Sequence, residues 1–127
     1  MRRLIATAFL AAALAGACQG ADTAAPSPAP IPDGAVHVVA DGMAFTTPTA
    51  TAPAGRPFVL AFENREGPPH NVHLRDASGA TVFQGEVFTG PALRLHDMPA
   101  LAAAAYGFIC DVHPDMTGQL LAAEEGS

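Results

Sequence analysis

The chain has 127 residues, enough for one domain, and we expect a single hydrophobic core built from roughly 90 of them. Twelve acidic residues against six basic ones give a formal net charge of −6 at pH 7, and the chain contains no lysine and no basic run. A surface of this kind attracts phosphate backbones weakly, so nucleic acid is excluded as an expected partner.

The first 18 residues have the layout of an export signal. Two arginines follow Met1, an apolar stretch runs from Leu4 to about Ala15, and small residues precede Cys18. The apolar stretch is well short of the roughly 18 to 20 residues that a membrane-spanning helix needs. We therefore predict a signal peptide over residues 1–18 and a mature protein in the periplasm or cell envelope.

Cys18 ends this segment in the run Leu14-Ala-Gly-Ala-Cys18, which resembles a bacterial lipobox. In that pattern the cysteine is acylated after cleavage and becomes the new N-terminus. Ala15 stands where the pattern usually has leucine, so ordinary cleavage nearby stays the alternative. A lipid on Cys18 would hold the protein at a membrane without crossing it, and we expect no other membrane association.

Residues 19–33 are predicted to form a poorly ordered tether. Alanine, proline, serine and threonine dominate there, and almost nothing is large enough to bury. Such a composition favours an extended, polyproline-like chain. The folded domain is accordingly expected over residues 34–123.

Beyond the tether, short apolar runs alternate with glycine, proline, asparagine and aspartate. This pattern is typical of short strands rather than of amphipathic helices. Eight runs qualify as strands: Val36–Ala40, Met43–Phe45, Phe58–Asn64, His70–Leu74, Thr81–Phe83, Leu93–His96, Tyr106–Cys110 and Gln119–Ala122. The regular turn signals between them predict an all-β sandwich.

The most specific chemical signal is the run Cys110-Asp-Val-His113-Pro-Asp-Met116, which places a thiolate, an imidazole and a thioether close together. Soft thiolate and thioether ligands favour Cu(I), imidazole serves both oxidation states, and two histidines with a cysteine and a weak axial methionine are typical of electron-transfer copper sites. Zinc suits the run less well, because a thioether is a poor zinc ligand and a second cysteine is missing.

A fourth ligand is needed, and the best candidate is His70 in the run Pro-Pro-His70-Asn71. The pairing of His70-Asn71 with the Cys110–Met116 run resembles the cupredoxins, most nearly the amicyanin- and plastocyanin-like proteins. The resemblance covers about residues 35–122. It implies a cupredoxin-like Greek-key antiparallel β-sandwich of about seven to eight strands that holds one type 1 copper ion.

The resemblance assigns roles to four metal ligands, His70, Cys110, His113 and Met116. The cysteine and the two histidines would form a near-trigonal plane around the copper, and the methionine would make a long axial bond. Asn71 would help to fix His70. Many relatives have a hydroxyl residue after the cysteine, whereas this chain has Asp111, which leaves open the usual side-chain contact between Asn71 and that position.

The remaining histidines, His37, His73 and His96, are predicted to be surface or lightly packed side chains that do not join the metal. His73 follows His70 by three residues, so in a strand it would point to the opposite face from the ligand.

Together these features predict a protein that passes single electrons between redox partners outside the cytoplasm and that is not an enzyme. Four protein ligands leave no open position for a substrate, and the chain shows no nucleophile with its base. A redox protein is expected to dock near His113, and the molecule is expected to be a monomer. The alternative is an exported copper carrier or resistance protein, a class that tends to use open surfaces rich in methionine or histidine.

Overall fold

The structure, a computed structural model, describes residues 29–126. The predicted signal peptide, the proposed lipid site at Cys18 and most of the predicted tether lie outside the described residues. Within residues 29–126, no helix has the length and apolar character that a membrane span requires.

The described chain is all-β, and its strands form two packed sheets. The strands are β1 (Val36–Asp41), β2 (Ala44–Phe45), β3 (Thr49–Pro53), β4 (Phe58–Asn64), β5 (His73–Arg75), β6 (Thr81–Gln84), β7 (Ala92–Met98), β8 (Ala104–Cys110) and β9 (His113–Ala123). The first sheet has the order β2-β1-β4-β7, and the second has the order β3-β9-β8-β5-β6. The predicted β-sandwich is confirmed.

The sheets are mixed rather than purely antiparallel, which corrects the prediction in one respect. β1 pairs in parallel with β4, and β3 pairs in parallel with β9. Between β1 and β4 the chain crosses to the second sheet, where it forms β3, and then returns to the first sheet. β4 therefore runs in the same direction as β1, and the two strands are joined by a crossover rather than by a hairpin.

β3 is absent from the predicted set of strands, and with it the described residues contain nine strands rather than seven or eight. Its sequence, Thr-Ala-Thr-Ala-Pro, has no large apolar residue to signal a strand. Its burial nevertheless alternates, with Ala50 and Ala52 inside, and it lies at the edge of its sheet beside β9. An edge position also tolerates Pro53, because only one side of the strand needs hydrogen-bond partners.

The core is organised around aromatic rings that join the two sheets. Phe62 of β4 is fully buried and meets Phe45 and Phe88 edge-on, at centroid distances of 6.3 and 5.5 Å. Phe45 in turn packs at 4.9 Å against Phe108, which belongs to the opposite sheet. Each edge-to-face pair adds roughly 0.5–1.5 kcal/mol beyond the burial of its area. The cluster thus runs from the sheet interface to Phe88, which pairs with the ligand candidate His70.

His96 on β7 is partly buried against the ring of Phe83, at a centroid distance of 4.9 Å. Its Nε2 atom is buried and has no hydrogen-bond partner among the described residues. Burial lowers the pKa of His96 below its ordinary value; Glu86 opposes the shift and Arg94 adds to it. The neutral ring is therefore the form that the folded protein favours.

A folded-state pKa below the ordinary value makes the unfolded chain take up the proton first as the pH falls. The free energy of unfolding is therefore expected to decrease as the pH drops below about 6.5, and His96→Phe should remove that part of the decrease. Urea unfolding of both proteins between about pH 7.5 and pH 5 measures the difference. Identical pH slopes for the two proteins would contradict the prediction.

Candidate metal centre

The side chains of His70, Cys110 and His113 come together where β8 ends and β9 begins. The Nδ1 atoms of His70 and His113 each lie 3.7 Å from Cys110 Sγ, and the two Nδ1 atoms lie 3.1 Å apart. His70 and Cys110 are fully buried, and His113 is only partly buried.

These separations suit a bound metal ion. The point equidistant from the three donor atoms lies about 2 Å from each, close to ordinary metal–nitrogen and metal–thiolate bond lengths. Met116 follows on β9 and is buried in the core, so a thioether stands near the same end of the strand. A thiolate, two imidazoles and a thioether form a donor set that could bind copper.

The backbone of His70 is bonded to Phe88, and Asn64 in turn holds Phe88 and the turn that leads to His70. The N–H and C=O groups of His70 both bond to Phe88, at 3.1 Å each. The amide nitrogen of buried Asn64 donates to the carbonyls of Phe88, at 3.0 Å, and of Pro68, at 2.9 Å. Its side-chain oxygen accepts the Glu66 N–H at 3.0 Å. One side chain therefore fixes the turn that carries the first ligand.

Glu66 fixes the tautomer of the His70 ring. Its Oε1 atom lies 2.8 Å from His70 Nε2, and because a carboxylate only accepts, Nε2 carries the proton. The Nδ1 atom of the neutral ring then keeps the lone pair that a metal needs. The backbone N–H of Met43, a residue with φ of 60°, donates to the same oxygen at 2.8 Å and contributes most to lowering the pKa of Glu66.

The turn between β8 and β9 is shorter than predicted. Cys110 pairs directly with His113, and a register shift follows Ile109, so β9 begins at His113 rather than at Gln119. Residues 111 and 112 alone make the turn. The bulge lets the strand continue while thiolate and imidazole face the same point.

The contact between Asn71 and the residue after the cysteine, left open by the sequence, is present. Asn71 Nδ2 donates to Asp111 Oδ2 at 2.7 Å, and Asn71 Oδ1 accepts the Asp111 N–H at 2.8 Å. His73 and Gln84 also reach this carboxylate, at 2.7 and 2.8 Å. Burial alone would raise the pKa of Asp111, but the donors Gln84, His73 and Asn71 outweigh it and lower the pKa to about 2.

The prediction for His73 was wrong, because this side chain is buried, with 4% exposure, rather than lightly packed. It pairs with Ile109, whose side chain points to the opposite face of β8 from Cys110, and its ring nitrogens bond to Asp111 and Thr81. Neither His37 nor His96 belongs to the cluster of possible metal ligands among the described residues. His37 bonds to Glu63 at 2.9 Å.

No protein-family model matches the chain. Two curated proteins are similar to it in sequence. Amicyanin-alpha of Methylorubrum extorquens is 31% identical over 93 residues, which cover 71% of this chain and 73% of the relative. Amicyanin of Paracoccus versutus is 30% identical over 92 residues, which cover 72% of this chain and 67% of the relative. The chain belongs to the amicyanin-like cupredoxins.

Solved structures agree with this membership. The crystal structure of amicyanin from Paracoccus versutus matches this cupredoxin with a TM-score of 0.59 at 28% identity, over 73% of this chain and 85% of that one. Reduced auracyanin from Roseiflexus castenholzii gives a TM-score of 0.62 over 71% of this chain and 97% of that one; its 16% identity supports the fold alone. The resemblance predicted from the Cys110–Met116 run is confirmed.

Proposed function

We propose that this cupredoxin is a type 1 copper protein that passes single electrons, with His70, Cys110, His113 and Met116 as its four ligands. The observation that carries the proposal is the triangle of two imidazole nitrogens and one thiolate sulfur, 3.1 to 3.7 Å apart and largely buried. Amicyanin variants at 25% and 26% identity have been solved in a Cu(I) form, which supports copper as the metal here.

Bound copper would supply the one-electron couple, and the chain would supply a cage that changes little between the two oxidation states. His70 is held through its backbone by Phe88 and through its ring by Glu66. Cys110 is fully buried between paired strands. Ligands restrained in this way need little reorganisation when an electron arrives, and the buried surroundings tune the potential.

His113 is the least buried of the proposed ligands, and several segments next to the ligands carry exposed apolar residues. Val112, next to it in the chain, is 45% exposed. Met43, 47% exposed, is joined to the site through Glu66, and Val87, 45% exposed, precedes Phe88. Exposed apolar residues next to, or bonded to, the segments that carry the ligands fit a redox protein that docks near His113 and exchanges electrons through its ring.

His113→Gly is expected to slow electron exchange by roughly tenfold or more and to leave the β-sandwich folded. Stopped-flow oxidation of the Cu(I) protein by ferricyanide measures the rate, and circular dichroism checks the fold. His37→Gln is the matched control, because His37 bonds to Glu63 and lies outside the ligand cluster. An unchanged rate in His113→Gly would overturn the proposed role of this residue.

We also propose a monomer located outside the cytoplasm, in the periplasm or cell envelope. The location rests on the signal-like residues 1–18, and a lipid on Cys18 would hold the protein at a membrane. The alternative function, a copper carrier, fits less well. His70, Cys110 and Met116 are buried, whereas a carrier that hands over its ion is better served by exposed donors.

A further inference from the structure

Asp111 directly follows the proposed ligand Cys110, and its side chain collects several hydrogen bonds. Its Oδ2 atom accepts from Asn71 Nδ2 at 2.7 Å and from Gln84 Nε2 at 2.8 Å. Its Oδ1 atom accepts from His73 Nδ1 at 2.7 Å. Its backbone N–H donates to Asn71 Oδ1 at 2.8 Å. The residue therefore contacts three side chains and none of these contacts is local in sequence.

The three partners belong to different parts of the fold. Asn71 adjoins the proposed ligand His70, His73 begins β5, and Gln84 ends β6. The network extends outward, because Asn71 Nδ2 also donates to the Gly85 carbonyl at 3.0 Å. His73 Nε2 lies 2.8 Å from the Thr81 hydroxyl oxygen, which fixes the far side of the ring. A single carboxylate thus connects the β8–β9 turn with the His70 turn, β5 and β6.

Burial distinguishes this network from an ordinary surface ion pair. Asn71 and His73 are 1% and 4% exposed, and the Asp111 side chain is 24% exposed. Hydrogen bonds to a charged acceptor are shorter and roughly twice as strong as neutral ones. A hydroxyl at position 111 could still meet Asn71, but it offers one oxygen and could not also engage His73 and Gln84.

We propose that Asp111 is a positioning residue of the metal centre, which together with His73 clamps the Cys110 segment to the His70–Asn71 segment. The clamp holds the cage in shape before metal arrives and so strengthens copper binding. The inference rests on the proposed copper function for its effect on affinity, and it makes a separate statement about the metal-free protein.

Competition with the Cu(I) chelator bicinchoninate tests the effect on affinity. Asp111→Asn keeps the size of the side chain but presents an amide nitrogen to donors, and His73→Gln removes the Nδ1 donor while sparing the Asn71 contact. Each variant is expected to bind Cu(I) roughly 10- to 100-fold more weakly, as is usual when a group that supports a ligand is lost. Because the two residues act as one unit, the double variant should lose little more than Asp111→Asn alone.

Asp76→Asn provides the matched control. Asp76 also accepts several hydrogen bonds, from Ser78 and Ala80, but it serves the turn between β5 and β6 and touches no proposed ligand. The Cu(I) affinity of the Asp76→Asn protein should stay within about twofold of that of the unsubstituted protein. Folded Asp111→Asn and His73→Gln proteins that also stay within that range would overturn the clamp.

Amide hydrogen exchange of the metal-free protein supplies a readout that does not depend on copper. The Asp111 N–H, which is donated to Asn71, should exchange faster in His73→Gln, while the Ala54 N–H, which is donated to the Ala123 carbonyl on other strands, should not change. Equal Asp111 exchange in both proteins would overturn the clamp even if Asp111→Asn failed to fold. Absence of copper binding by the unsubstituted protein would instead overturn the proposed function.

Discussion

Replacing Asn64 by alanine is expected to lower the free energy of unfolding by roughly 2–4 kcal/mol and to weaken copper binding as well. Asn64 is fully buried, and its amide nitrogen satisfies the carbonyls of Pro68 and Phe88. Alanine would leave both carbonyls and the Glu66 N–H without this partner. A buried polar group that loses its partner costs about 1–3 kcal/mol.

Urea unfolding of the metal-free protein measures the loss, and Thr46→Ala is the control. Thr46 is exposed, and its hydroxyl oxygen makes one long hydrogen bond, 3.5 Å from the Val39 carbonyl oxygen. Its removal should change the free energy of unfolding by less than about 0.5 kcal/mol. If Asn64→Ala were as stable as this control, the turn that carries His70 would not depend on Asn64.

Gly118→Ala is expected to lower the free energy of unfolding by roughly 2–3 kcal/mol, because the added methyl group has no room. Gly118 on β9 faces Phe108 across the β8–β9 pair, and a Cβ atom there would overlap the Phe108 ring. That ring is 1% exposed and packs against Phe45, so it cannot move aside without disturbing the aromatic cluster.

Gly107→Ala makes the same chemical change on the neighbouring strand and should raise, rather than lower, the free energy of unfolding. A Cβ atom at Gly107 would meet no atom within 4 Å. The substitution restricts the unfolded chain and should therefore stabilise the protein by roughly 0.4–1 kcal/mol. Thermal unfolding of both variants measures the contrast, and equal melting temperatures would show that the Phe108 ring does not limit the space at position 118.

The parts of the site that are local in sequence could be predicted. Cys110, His113 and Met116 lie within one short run, so their chemistry is visible without knowledge of the fold. His70 is forty residues away, and only the resemblance connected it to them. The sandwich was also predictable, because glycine and proline separate apolar runs at strand length, as in Phe58–Asn64.

The supporting residues could not be predicted, because their roles depend on the pairing of distant strands. His73 acquires its partner Asp111 only when β5 pairs with β8. Asn64 ends β4 and Glu66 lies in the turn that follows, and the composition of this stretch signals a bend but does not reveal which groups the two side chains bond. β3 could not be predicted because its alanines are too small to signal a strand and are buried only through the pairing of β3 with β9.

The visible absorption spectrum of the purified protein after addition of one equivalent of Cu(II) tests the central claim most directly. Cys110→Ser serves as the comparison, because it replaces only the proposed thiolate. We expect an intense blue thiolate-to-copper band that bleaches on reduction and is absent from the variant. A colourless or weakly absorbing complex, or a band that survives in Cys110→Ser, would contradict the assignment of Cys110 as a copper ligand and with it the proposed electron-transfer site.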